Sequence, residues 1–169
     1  AVRSGARGRR LALAAALLGW MFDGFEMGLF PLVARPCLLE LLGPEGRGSV
    51  GSWIFGVLAG FLLGAAAGGL LFGWLGDRIG RVRALTASVL TYAVFSGLCA
   101  FAAAPWQVAV LRGVSALGMG GEWSLGVALV MEVWESASRP RLAAMIGAAA
   151  NVGFLLVALA GLALGRVVF

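Results

Sequence analysis

The chain alternates long apolar runs with short connections that hold nearly all of its charge. Five such runs fall at about 11–33, 49–75, 84–104, 106–130 and 142–164. A helix rises about 1.5 Å per residue, so each run is long enough to cross a hydrocarbon core of about 30 Å. The first run ends at Pro31 and Pro36, and the loop after it carries Arg35, Glu40, Glu45 and Arg47 with no net charge. Ala104 and Pro105 make a short turn, and Glu132, Glu135, Arg139 and Arg141 separate the fourth run from the fifth. The expected fold is all-α: a polytopic membrane bundle of five transmembrane helices behind a basic arm at 1–10.

Composition supports that expectation, with 61% of residues hydrophobic and 12% charged. A net charge of +5 could suggest nucleic acid, but all 13 basic residues are Arg, and all except Arg112 lie outside the apolar runs. Membrane orientation explains them better, and no nucleic-acid partner is expected. Nine Arg (3, 7, 9, 10, 78, 81, 83, 139, 141) fall on one side, three (35, 47, 166) on the other, and Arg112 lies within a run. Positive residues stay inside, which puts the N-terminus in the cytoplasm. High Ala, Gly and Arg usage without Lys suggests a bacterial source and an inner membrane.

The chain has no His, and Cys37 and Cys99 are its two cysteines. That excludes His-based catalysis and an ordinary zinc or haem site, so no metal and no cofactor are expected. Nothing brings the two cysteines together, and no disulfide is expected. An intramembrane hydrolase needs a nucleophile and a base, but the chain offers neither His nor Lys, and Asp23 is the one Asp within a run. The chain starts at Ala1 rather than Met and stops just after an apolar run, as a piece of a longer chain would.

In the second run Gly56, Gly60, Gly64 and Gly68 recur every four residues. This spacing puts all four on one helix face, where a second backbone can approach closely. One extended close contact is expected along them.

Ionisable groups inside a membrane helix are costly, and by default they mark function. Asp23 and Glu26 lie three apart on the first helix and share a face. Asp23 is roughly 18 Å from the start of its run, near mid-membrane, and Arg112 reaches a comparable depth from the other side. Arg112 needs an anion, supplied by Asp23, by Glu26, by a substrate carboxylate, or by each in turn. Glu122 follows three turns later, beside Trp123, a candidate lining residue. Burial raises a carboxylate's pKa and a neighbouring Arg lowers it. A substrate carboxylate that takes over Arg112 therefore leaves the displaced acid to pick up a proton, which is symport in electrostatic terms.

Residues 73–85 read GWLGDRIGRVRAL. Gly73, Leu75, Gly76, Asp77, Arg78, Gly80, Arg81, Arg83 and Leu85 fill a pattern that resembles the loop between the second and third helices of the major facilitator superfamily of transporters. Arg112 followed by Gly118, Gly120, Gly121, Glu122 and Trp123 is similar to the fourth helix of the branch that moves small organic acids with protons, with Ser115 and Ala116 where a Gln and a Gly are usual. Asp23-Gly24-Phe25-Glu26 looks like the D-G-[FY]-[DE] pattern of that branch. The fifth run has Asn151 and Gly153 but lacks the G-P-x-x-G-G of drug/proton antiporters.

The resemblance implies five helices of an N-terminal six-helix half, with a missing C-terminal half as partner, packed in part against the Gly56 to Gly68 face. It implies transport of a small, anionic molecule through the lipid bilayer by alternating access, coupled to protons, with Asp23, Glu26, Arg112, Glu122 and Asn151 as the substrate and coupling residues. The loop implies a gate, in which Asp77, Arg81 and Glu132 latch one state. A facilitator of sugars or other neutral solutes, or a non-transporting membrane partner or remnant, remain as alternatives.

Overall fold

The computed structural model describes residues 6–134 and 138–168. Arg3 and Glu135, counted above among the charged connections, lie outside the described residues. Five helices follow one another: α1 (Ala6–Leu42), α2 (Val50–Ile79), α3 (Arg81–Leu98), α4 (Pro105–Val133) and α5 (Arg139–Val168). Among the described residues, these five are long and apolar enough to cross a membrane. Their outer faces stay apolar, with Phe101, Leu70 and Leu63 among the most exposed side chains. Lipid, unlike water, imposes no cost on such a surface.

The sequence places the end of the first helix at Pro31 and Pro36, but α1 continues through both to Leu42. Arg35 and Glu40 are therefore helical, and the connection shrinks to the turn that ends in a 3-10 segment at Arg47–Ser49. Proline lacks an N–H and crowds the carbonyl four residues back, yet membrane helices tolerate it where local adjustments satisfy the freed groups. A second 3-10 turn, Cys99–Phe101, follows α3. The Gln107 side chain then accepts the Ala103 N–H at 2.7 Å, tying the start of α4 to the chain before it.

The chain packs as two units. One comprises Val33–Leu125, and the other comprises the residues up to Leu32 together with those from Gly126 onward.

In the first of these, small residues bring α2 and α4 together. A Cβ on Gly68 would overlap the Leu117 carbonyl, and one on Gly120 would overlap that of Ala65. Gly64 sits close to the Gly113 backbone, though less tightly, and Ser124 Oγ donates to the Gly69 carbonyl at 3.3 Å. The seam extends to Phe72 against Gly121 and to Leu125 against Gly76. In contrast, Gly56 and Gly60 have nothing within 4 Å of a would-be Cβ. The four-residue stripe thus divides: its second half is covered by α4, and its first half is open. Helix α3 joins through hydroxyls, since Ser88 donates to the Gly118 carbonyl and Ser115 to that of Tyr92 at 3.3 Å. Phe72, Ala84 and Leu125 form one buried cluster, and Phe61, Ala116 and Met119 form another.

In the other unit, α1 packs on α5. Gly24 faces the Ala150 backbone, Gly153 faces Met21 and Phe25, and Gly28 meets Phe154 and Val157. Ala16, Val130, Leu142 and Ile146 bury a separate cluster nearer the start of α1, flanked by Leu13, Leu17, Trp20 and Trp134.

Candidate functional site

All four ionisable residues singled out within the apolar runs are buried. Asp23 is 3% exposed, Glu26 9%, Arg112 7% and Glu122 5%. Asp23 and Glu26 belong to the unit of α1 and α5, and Arg112 and Glu122 to the unit of α2, α3 and the first part of α4. Burial of charge at this level on membrane-length helices is costly, and a purely packing role has cheaper solutions.

The Asp-Gly-Phe-Glu sequence acquires a local explanation. Gly24 is the point of closest approach to α5, where any side chain would collide with Ala150. At about 100° per residue, Asp23 and Glu26 then point about 100° and 160° away from that seam. The glycine thus fixes the rotation of α1 that sends both carboxylates away from α5. Asn151 is exposed on α5, two residues before Gly153, whose face meets α1. The structure therefore does not bury Asn151 with Asp23 and Glu26.

On α4, the Arg112 guanidinium lies over the Phe61 ring of α2, 5.0 Å from its centroid. Phe61 is itself 5% exposed and packs against Ala116 and Met119, with Ala65 and Tyr92 at the edge of the cluster. Sequence reasoning missed Phe61, since one Phe in a run crowded with apolar residues carries no signal of its own. Ser115, which stands where the resemblance expects a Gln, is fully buried and binds α3 instead. Gly120 and Gly121 lie against α2, while Glu122 is buried beside them, and its Oε2 has no hydrogen-bond partner among the described residues. Trp123 points elsewhere, 54% exposed.

The charged turn is shorter than a loop. Gly80 alone separates α2 from α3, at φ 94° and ψ 145°, a conformation that a side chain would strain. Its N–H donates to the Gly76 carbonyl at 3.1 Å, and its own carbonyl accepts from Ala84 at 3.1 Å, so Gly80 closes the last turn of α2 and opens the first turn of α3. Asp77 Oδ1 and Arg81 Nη2 pair at 2.8 Å across the junction. Arg78 stacks over Trp74, 4.1 Å from the ring centroid. Gly76 makes room for the buried Leu125, but Gly73 has nothing within 4 Å, and Arg83 is exposed. Glu132 is exposed near the end of α4, in the other unit.

Cys37 and Cys99 are not joined in a disulfide, and the Cys99 thiol donates to the Phe95 carbonyl at 3.4 Å. Among the described residues, no group of three or more His, Cys, Asp or Glu could hold a metal ion.

Residues 11–169 match the family described as Major Facilitator Superfamily. A gentisate transporter of Corynebacterium glutamicum is 39% identical over 121 residues, covering 69% of this chain and 25% of that protein. A Haemophilus influenzae protein whose name assigns it to metabolite transport is 37% identical over 145 residues, covering 85% of this chain and 34% of its own. A niacin transporter of Acinetobacter baylyi is 31% identical over 143 residues, covering 84% and 31%. The chain therefore spans about a quarter to a third of the length of these relatives. No solved structure matches it significantly.

Proposed function

Because this chain belongs to the Major Facilitator Superfamily, multi-pass membrane transporters rather than enzymes, we propose that the protein is a proton-coupled symporter of a small organic acid. The observation that carries this reading is the burial of Arg112, at 7% exposure, on a membrane-length helix. A fixed cation in low dielectric is a receptor for an anion. Relatives named for gentisate and niacin support a carboxylate, since both are small ring acids.

In this reading Arg112 receives the substrate's carboxylate, and Asp23 or Glu26 takes up the proton. The charge held in low dielectric is then unchanged when substrate and proton arrive together. Glu122, with one oxygen lacking a donor, is a further proton acceptor. Alternating access carries the loaded site across. The Asp77–Arg81 pair latches one of the two states. The excess of Arg at the Gly80 turn and the N-terminus supports a cytoplasmic placement for both.

The test is uptake into vesicles carrying the whole protein. Adding gentisate or nicotinate outside should alkalinise the external medium, and Asp23→Asn or Glu26→Gln should abolish that signal. Arg112→Gln should abolish uptake of either acid. Acid uptake with no proton movement would overturn the coupling, and uptake untouched by Arg112→Gln would overturn the carboxylate assignment.

A further inference from the structure

We infer that the start of α1, the end of α4 and the start of α5 form a binding site for the headgroup of an anionic phospholipid, centred on Trp134. Arg9 of α1 lies over the Trp134 ring, 5.7 Å from its centroid, and Arg139 of α5 donates through Nε to the Trp134 carbonyl at 3.2 Å. Two guanidinium groups from distant parts of the chain are thus gathered at one residue, and all three residues belong to the same unit. Trp134 in turn packs against the buried cluster of Ala16, Val130, Leu142 and Ile146, so both Arg are held at the rim of an apolar core. Neither α1 nor α5 has an Asp or Glu in its first turn, and Arg7, Arg10 and Arg141 bring three more positive charges to the same two helix starts. The acids of this stretch are Glu132, exposed near the end of α4, and Glu135, which lies outside the described residues. Five Arg against two Glu leave the site positive.

The orientation of the chain in a membrane accounts for the number of Arg at these ends, but not for the convergence of two of them on one Trp. Indole suits the level where hydrocarbon gives way to headgroups, since its body packs against apolar atoms while its face attracts a cation. Stacking orients Arg9 through the face of its guanidinium, and Arg139 gives the Trp134 carbonyl one of its five N–H groups. A phosphodiester presents one negative charge on two non-bridging oxygens, which matches the fork of a guanidinium. Acyl chains need an apolar wall beside the phosphate, and Leu11 and Leu18 on α1 and Met145 on α5 are each at least half exposed. A soluble phosphate would gain nothing from that wall. A zwitterionic lipid brings the same phosphate with an ammonium group that cancels its charge, so the positive site selects an anionic headgroup.

The test is lipid binding to the purified whole protein, counted by native mass spectrometry during titration with phosphatidylglycerol or phosphatidylcholine. At about fivefold for each Arg, the scale of one charge at an anionic membrane surface, Arg9→Gln combined with Arg139→Gln should weaken phosphatidylglycerol binding about 25-fold. Phosphatidylcholine binding should not change, and Arg35→Gln with Arg47→Gln, the same loss of charge elsewhere, should leave phosphatidylglycerol binding near wild type. Glycerol 1-phosphate, a headgroup anion without acyl chains, should not displace the lipid. A photoreactive phosphatidylglycerol should label the starts of α1 and α5 in the wild-type protein, which locates the site even if the double variant fails to fold. Equal binding of the two lipids by the wild type, equal losses in the two double variants, or labelling confined to other helices would overturn the proposal. Displacement by glycerol 1-phosphate would overturn the lipid in favour of a soluble phosphate.

Discussion

Replacing Gly68 with Ala puts a methyl group where the Leu117 carbonyl already lies. The obstacle is backbone, so no side chain can rotate away, and α2 and α4 must move apart along the seam that runs from Gly64 to Gly76. Overpacking of this kind costs about 1–3 kcal/mol. Ala over Gly in a helix returns up to about 1 kcal/mol, which does not offset it. Gly56→Ala isolates that second contribution, because nothing lies within 4 Å of the new methyl group. Both glycines belong to the same four-residue stripe on the same helix, so the pair separates packing from propensity. In detergent, Gly68→Ala should lower the apparent melting temperature by several degrees, and Gly56→Ala should leave it unchanged or slightly raised. A Gly68→Ala protein as stable as wild type would refute the close approach of α2 and α4.

Two further expectations concern the charged turn. Gly80→Ala forces a side chain into φ 94°, at a cost of about 1–3 kcal/mol, and should reduce the yield of folded protein on size exclusion, whereas Gly73→Ala, with open space around it, should not. Equal yields would remove the conformational argument. Asp77→Asn breaks a pair whose carboxylate is 67% exposed, so stability should change by less than about 1 kcal/mol, while transport slows more than substrate binding weakens. Equal losses in rate and binding would remove the latch.

Much of this architecture is legible in the chain because membrane helices are written in long unbroken code: a run of apolar residues admits few alternatives in lipid. The 73–85 motif is legible for a different reason, since it specifies a backbone conformation at Gly80, a close approach at Gly76 and a short-range ion pair between Asp77 and Arg81. Pro31 and Pro36 misled because proline is a strong stop in water, whereas α1 keeps its helix through both. The glycine stripe suggested one extended contact, but α4 meets only Gly64 and Gly68, since spacing gives an angle around the helix and not the distance along it at which a neighbour ends. Phe61 was illegible because its ring meets Arg112, some fifty positions away, only through the seam that brings α2 and α4 together. Gly24 was recognised as part of a pattern, yet its job against Ala150 appears only once α5 is in place.

The single-residue junction at Gly80 also has a mechanical meaning. One residue spans at most about 3.6 Å, so the joint contains no slack. The Asp77–Arg81 pair bridges it, Leu125 is wedged against it at Gly76, and the Ser88 and Ser115 hydroxyls tether α3 to α4. Helices α2 and α3 therefore cannot slide past each other at this end. A shift of α2 at the turn carries the start of α3 with it.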